Sequence, residues 1–307
     1  MNSFILKLVT LLGIVIALMT ISSARSEQIY GLSDDGELFS FDSATPGTVS
    51  GEVNVTGVTS GQLLVGIDFR PATGQLYALS YESTFGASQL YVIDPLSGVA
   101  TTVGSGFNLN TGSGSMGFDF NPSVDRIRVV FESGDNYRLN PIDGTLAGTD
   151  SEIAYAMGDV NFGDDAAIVG AAYTNNVAGG TPTTLYGYDF LNDRLVTIGG
   201  INSSPSPNGG QLFTIGSTGI NTSSASIGFD ISGSTSLAYV NADVVGGGGV
   251  DNLYTVNLGN GALTLVGPIG GELAVLDLAV VPEPTTFALL GVAALVGGVL
   301  MRRRKSL

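Results

Sequence analysis

Val65-Gly66-Ile67-Asp68-Phe69-Arg70-Pro71 is the stretch on which the fold turns, because it comes back. It returns as Met116-Gly117-Phe118-Asp119-Phe120-Asn121-Pro122 and Ile227-Gly228-Phe229-Asp230-Ile231, in a degraded copy Val169-Gly170-Ala171-Ala172-Tyr173, and last as Val275-Leu276-Asp277-Leu278. Aligned on the glycine position, the copies stand at 66, 117, 170, 228 and 275, at intervals of 51, 53, 58 and 47 residues. Recurrence near fifty residues marks a repeat architecture. A second phrase runs in step: Leu38 to Asp42, Leu90 to Asp94, Asn136 to Asn140, Leu185 to Asp189 and Leu253 to Asn257, each five residues of β-forming character closed by Asp or Asn. Turn residues usually follow, such as Pro95 to Gly98 and Asn260-Gly261, so these are strands entering hairpins. A third phrase has three copies, at Val99 to Gly104, Leu195 to Gly199 and Leu263 to Gly267.

The best-preserved unit therefore holds four short strands, at Gly66 to Phe69, Leu76 to Ser80, Leu90 to Asp94 and Val99 to Gly104. Four antiparallel strands per unit of about fifty residues is what one blade of a β-propeller needs. Ile29-Tyr30-Gly31-Leu32 matches the second strand type, and Leu273 to Val280 matches the first. Joining them completes a fifth blade and removes both exposed sheet edges, so the expectation is an all-β, five-bladed propeller over residues 27–280, closed by pairing of its two ends. Gly170 to Leu185 is only 15 residues where Gly66 to Leu90 is 24, so the unit around Tyr173 either lacks a strand or merges two. Asn202 to Thr222, rich in Ser, Pro and Gly, reads as a long surface loop.

The chain has 307 residues, no Cys, no His and no Trp. A disulfide framework, thiolate chemistry, a Ser-His-Asp triad and any His or Cys metal site are thereby excluded. Removing residues 1–24 and 285–307 leaves 6 basic against 27 acidic residues, a balance of −21. Such a body repels nucleic acid, and nucleic acid is not expected as a partner.

Both ends read as addresses. Lys7 precedes an apolar run from Leu8 to Met19, and Ser22 and Ala24 occupy the −3 and −1 places of a signal-peptidase site. Residues 1–24 are thus a secretory signal, and signal peptidase is an expected partner. At the other end, Val281-Pro282-Glu283-Pro284 precedes an apolar run at 287–301 and the cluster Arg302-Arg303-Arg304-Lys305. Fifteen helical residues cover about 22 Å, so 287–301 is a short transmembrane helix, with 302–305 holding its end in the cytoplasm.

The tail at 281–307 resembles the PEP-CTERM sorting signal of Gram-negative bacteria. That resemblance implies an exosortase partner, transient anchoring in the inner membrane, and delivery to the cell surface or exterior in bacteria that make extracellular polysaccharide. The body, with Gly66-Ile67-Asp68-Phe69, Gly117-Phe118-Asp119-Phe120 and Ala171-Ala172-Tyr173-Thr174-Asn175, resembles the bacterial domain of unknown function 4394. This second resemblance implies secretion and a propeller-like fold and supplies no activity.

Candidate chemistry rests on oxygen. The repeat carboxylates Asp68, Asp119, Asp230 and Asp277 are expected to accept backbone N–H bonds from neighbouring turns and so fix blade geometry. The sharper alternative is a ring of carboxylates in the central channel binding calcium, interrupted at Ala172. Asp159, Asn161, Asp164 and Asp165 alternate as in a calcium loop, although the glycine and the closing glutamate of an EF-hand are missing. No catalytic residue and no cofactor other than calcium is expected. The functional expectation is an exported, non-enzymatic binding or scaffold module for polysaccharide or another envelope component. Its rivals are a carbohydrate enzyme working through paired carboxylates and a purely structural matrix spacer.

Overall fold

The innermost strand of each unit comes from the Gly-x-Asp phrase, and the other strands of the unit pair outward from it. The structure is a computed structural model and describes residues 26–84, 86–109, 114–271 and 273–282. The expected signal peptide with Ala24, the sorting residues Glu283 and Pro284, the helix expected at 287–301 and the basic end with Arg302, Arg303, Arg304 and Lys305 lie outside the described residues. Among the described residues no helix is long and apolar enough to cross a membrane.

Blade 1 contains β1 (Gln28–Ser33), β2 (Glu37–Asp42) and β3 (Val49–Asn54). Blade 2 is β4 (Leu63–Phe69), β5 (Leu76–Tyr81), β6 (Ala87–Ile93) and β7 (Ala100–Asn108). Blade 3 is β8 (Met116–Asn121), β9 (Arg126–Phe131), β10 (Asn136–Leu139) and β11 (Leu146–Thr149). In blade 4, β12 (Ala154–Tyr155) precedes β13 (Ile168–Tyr173), β14 (Leu185–Asp189), β15 (Arg194–Ile198) and β16 (Gln211–Ser217). Blade 5 is β17 (Phe229–Ile231), β18 (Ala238–Ala242), β19 (Asn252–Val256) and β20 (Leu263–Pro268). The last strand, β21 (Val275–Val280), returns to blade 1 and pairs antiparallel with β1, Ile29 opposite Val280 and Gly31 opposite Leu278. The innermost strands pack in a closed circuit, β21 on β4, β4 on β8, β8 on β13, β13 on β17 and β17 on β21. The protein is a five-bladed β-propeller sealed by its own two ends.

Burial falls from axis to rim. All six residues of β5 are buried, whereas β3 and β20, at the outer edge of their blades, are almost wholly solvated. The apolar side chains gather between blades. Tyr77 and Leu79 of blade 2 meet Phe118 and Phe120 of blade 3. Ile29 and Phe41 of blade 1 meet Tyr239 and Leu253 of blade 5. Each seam is thus an apolar core of its own, and the circle is held by five of them. The Asp or Asn that ends the second phrase caps the next hairpin: Asp94 Oδ1 accepts the Leu96 N–H at 2.9 Å, and Asn140 Oδ1 accepts that of Ile142 at 3.1 Å.

Blade 4 corrects two readings. Its unit lacks no strand and merges none, but Leu185 to Asp189 forms the second strand of the blade, whereas the same phrase forms the third strand in the other four. The phrase records a buried strand entering a hairpin, which two positions in a blade satisfy equally. Asn202 to Thr222 is not one loop. Gln211–Ser217 within it is β16, pairing with β15 and, in parallel, with β12.

Candidate functional site

Two places in the ring concentrate polar chemistry. The first lies on the axis. Five innermost strands converge there so closely that a Cβ added to Gly117 would stand 2.5 Å from the Cβ of Ala171, and one added to Gly66 would stand 2.7 Å from the Cβ of Phe118. The recurrent glycine is therefore demanded by close approach. Two residues on, the aspartate reaches to the next blade. Asp277 Oδ2 accepts the Ile67 N–H at 2.8 Å, Asp68 Oδ2 that of Phe120 at 2.8 Å, Asp119 Oδ1 that of Tyr173 at 3.0 Å, and Asp230 Oδ2 that of Val280 at 2.6 Å. The donors are innermost strands, which corrects the expectation that turns would supply them. The seam from blade 4 to blade 5, where Ala172 replaces the carboxylate, has no such stitch, and there Asn176 Nδ2 donates to Asp230 Oδ1 at 3.4 Å.

Asp68, Asp119 and Asp230 are at most 1% exposed, and each offers an oxygen within 4.8 Å of the others. Burial, reinforced by the neighbouring carboxylates, pushes the Asp68 and Asp119 carboxyls well above the usual range. Burial also lifts Asp277 well above it and Asp230 to about 7. Asp68 Oδ1, Asp119 Oδ2 and Asn176 Oδ1 are buried without a hydrogen-bond partner.

The second place is a cleft of about 440 Å³ between blades 3 and 4. Arg126, Arg128 and Arg138 line it together with hydroxyl and amide groups, among them Ser123, Thr183 and Asn208. Asp150 holds two of the arginines in place, accepting from Arg128 at 2.6 Å and from Arg138 at 2.7 Å through both its oxygens. Arg128 is 2% exposed and further fixed by Asn136 and Asn208. The arginine pair with Asp150 carries one net positive charge, and Arg126 adds another. No Asp or Glu lines the cleft.

The other sequence candidates stand elsewhere. Both oxygens of Asp159 are taken up by Thr214 of β16, Asn161 Nδ2 donates to the same threonine hydroxyl at 2.6 Å, and Asp164 pairs with Arg194 at 3.3 Å. Asp159, Asn161, Asp164 and Asp165 are not gathered into a set of ligands, which corrects that reading: the segment is pinned to blade 4 instead. Val281 and Pro282 follow directly on β21, and the Val281 N–H donates to the Gln28 carbonyl at 2.9 Å. Arg128, Arg138, Asp150 and Asn176 carry the two places yet went unnoticed in the sequence. Three arginines within 126–138 of a chain so poor in cations was the available signal.

No curated protein matches the chain closely enough to count. A structural-genomics protein of unknown function from Bacteroides thetaiotaomicron is similar over 86% of this chain and 68% of its own, with 14% identity and a TM-score of 0.47. A chain of a nidogen/laminin complex is similar over 84% and 98%, with 9% identity and a TM-score of 0.46. A putative 6-phosphogluconolactonase from Bacteroides uniformis covers 80% and 83%, with 14% identity and a TM-score of 0.40. None of the three brings an activity to this chain. A PEP-CTERM protein-sorting motif matches residues 280–305, and with it come export and sorting at the membrane by an exosortase. The profile of the domain of unknown function DUF4394 matches residues 37–279, from β2 to the penultimate residue of β21, and the chain belongs to that family.

Proposed function

We propose that the propeller is a non-enzymatic binding module of the cell exterior whose ligand is an acidic polysaccharide seated in the cleft between blades 3 and 4. One observation carries this reading: Arg126, Arg128 and Arg138 meet in a single concave surface of a chain that is otherwise strongly acidic. Arg126, engaged among the described residues only through Nη1 with the Asp125 carbonyl, suits a uronic acid carboxylate because planar guanidinium donors match two oxygens at once. Arg128 and Arg138, committed to Asp150, contribute charge. The surrounding hydroxyls and amides suit sugar hydroxyls. The enzyme reading gains nothing from this cleft, since hydrolysis through paired carboxylates needs carboxylates at its wall.

Binding of the full-length protein to immobilised polygalacturonate and to neutral dextran tests the proposal. Retention on the acidic polymer alone, weakened at least tenfold by Arg126→Ala and by Arg138→Ala, is expected. Equal retention on both polymers, or retention on neither, overturns it.

A further inference from the structure

The axial aspartates do more geometrically than stitch the blades together. Three carboxylates, Asp68, Asp119 and Asp230, meet on the axis with Asp277 in the neighbouring strand, and none of the ion pairs among the described residues involves them. A buried carboxylate normally spends both oxygens on donors, because leaving one unpaired is costly. Asp277 follows that rule, with Ile67 N–H on one oxygen and Leu278 N–H on the other, both at 2.8 Å. Asp68 and Asp119 do not: one oxygen of each is spent on the next blade, and the other is buried with no donor. An independent group joins them. Asn176 comes from the loop after β13, is 5% exposed, rests its amide nitrogen on Asp230 and leaves its own oxygen unpartnered. It stands at the one seam where Ala172 interrupts the ring.

We propose that the axis binds one hard divalent cation of calcium size, held by Asp68 Oδ1, Asp119 Oδ2, Asp230 and Asn176 Oδ1. Calcium takes oxygen ligands at about 2.3–2.6 Å, so two ligands on opposite sides of it stand up to about 5 Å apart. One oxygen from each of Asp68, Asp119 and Asp230 lies within 4.8 Å of the other two, inside that span. Magnesium, at about 2.0–2.1 Å, needs a tighter cage. A cation there would pull four of the five blades, 2 to 5, toward one point. The role is structural, and it is separate from the arginine cleft.

The full-length protein, stripped with EDTA and dialysed at neutral pH, is titrated calorimetrically with calcium and, in separate runs, with magnesium. One calcium per chain, a higher melting temperature with calcium, and calcium preferred to magnesium at least tenfold are expected. Asp119→Asn should weaken calcium binding at least tenfold, and so should Asn176→Leu, which leaves all four carboxylates in place and serves if the aspartate variant fails to fold. Asp159→Asn, in the blade 4 segment, should leave calcium binding unchanged. Absence of one-to-one calcium binding overturns the proposal, as does binding that survives Asn176→Leu undiminished.

Discussion

At Gly117 a single methyl group decides how near two blades can come. The Cβ it lacks would collide with Ala171, and Gly66 meets the same obstacle at Phe118. Both contacts are with backbone-proximal atoms that cannot swing away. Gly117→Ala should therefore cost about 1–3 kcal/mol of stability, the usual cost of overpacking, read as a lower denaturation midpoint in urea. An unchanged midpoint would mean that the strands are farther apart than described. Asp251 offers a second measurement at this scale. Its Oδ2 accepts the Val275 N–H at 2.8 Å and so holds the first residue of β21, while burial raises its carboxyl from 3.8 to about 6. A group protonated more readily when folded adds stability that is full below pH 3.8 and is lost as the pH rises through about 6. Relative to Asp251→Asn, the natural protein should lose stability between pH 4 and pH 7; parallel stability curves for the two would refute this.

Between elements, the seam joining the first strand to the last is reinforced from outside. Glu27, just before β1, is buried, and its carboxylate accepts hydroxyls from Ser232, Ser234 at 3.0 Å, Thr235 at 3.0 Å and Tyr239 at 2.9 Å, all in blade 5. Glu27→Ala strands those hydroxyls and should cost about 1–3 kcal/mol, with amide exchange quickening first in β1 and β21. Exchange that quickens evenly across all blades would argue that the latch is not local. At this scale the sequence was most informative. Strand type, blade count and the pairing of Ile29 to Leu32 with the last strand could all be read from phrases that repeat in phase. Blade 4 escaped because its hairpin signature has no memory of radial position, and β16 escaped because Ser, Pro and Gly around Gln211 hide a strand of ordinary length. The arginine cleft escaped for a different reason. Its residues run from Asn121 to Asn208 and meet only once blades 3 and 4 stand side by side.

For the molecule as a whole, charge sets two opposite salt responses. With 27 acidic residues against 6 basic ones in the body, self-repulsion works against the compact state, and added salt screens it. The melting temperature should rise between 20 and 200 mM NaCl, whereas retention on polygalacturonate should fall over the same range. A melting temperature that does not move would place the acidic groups too far apart to matter.

The position of β21 decides on which face the described chain ends. Val280 ends an innermost strand, at the same end of the axis where Asn121 leads from β8 into the turn that carries Ser123 and Arg126. Pro282 therefore stands near the hub, on the face that carries the cationic hollow. Were the protein held from that point, whatever holds it and whatever fills the hollow would have to share one side of the disc.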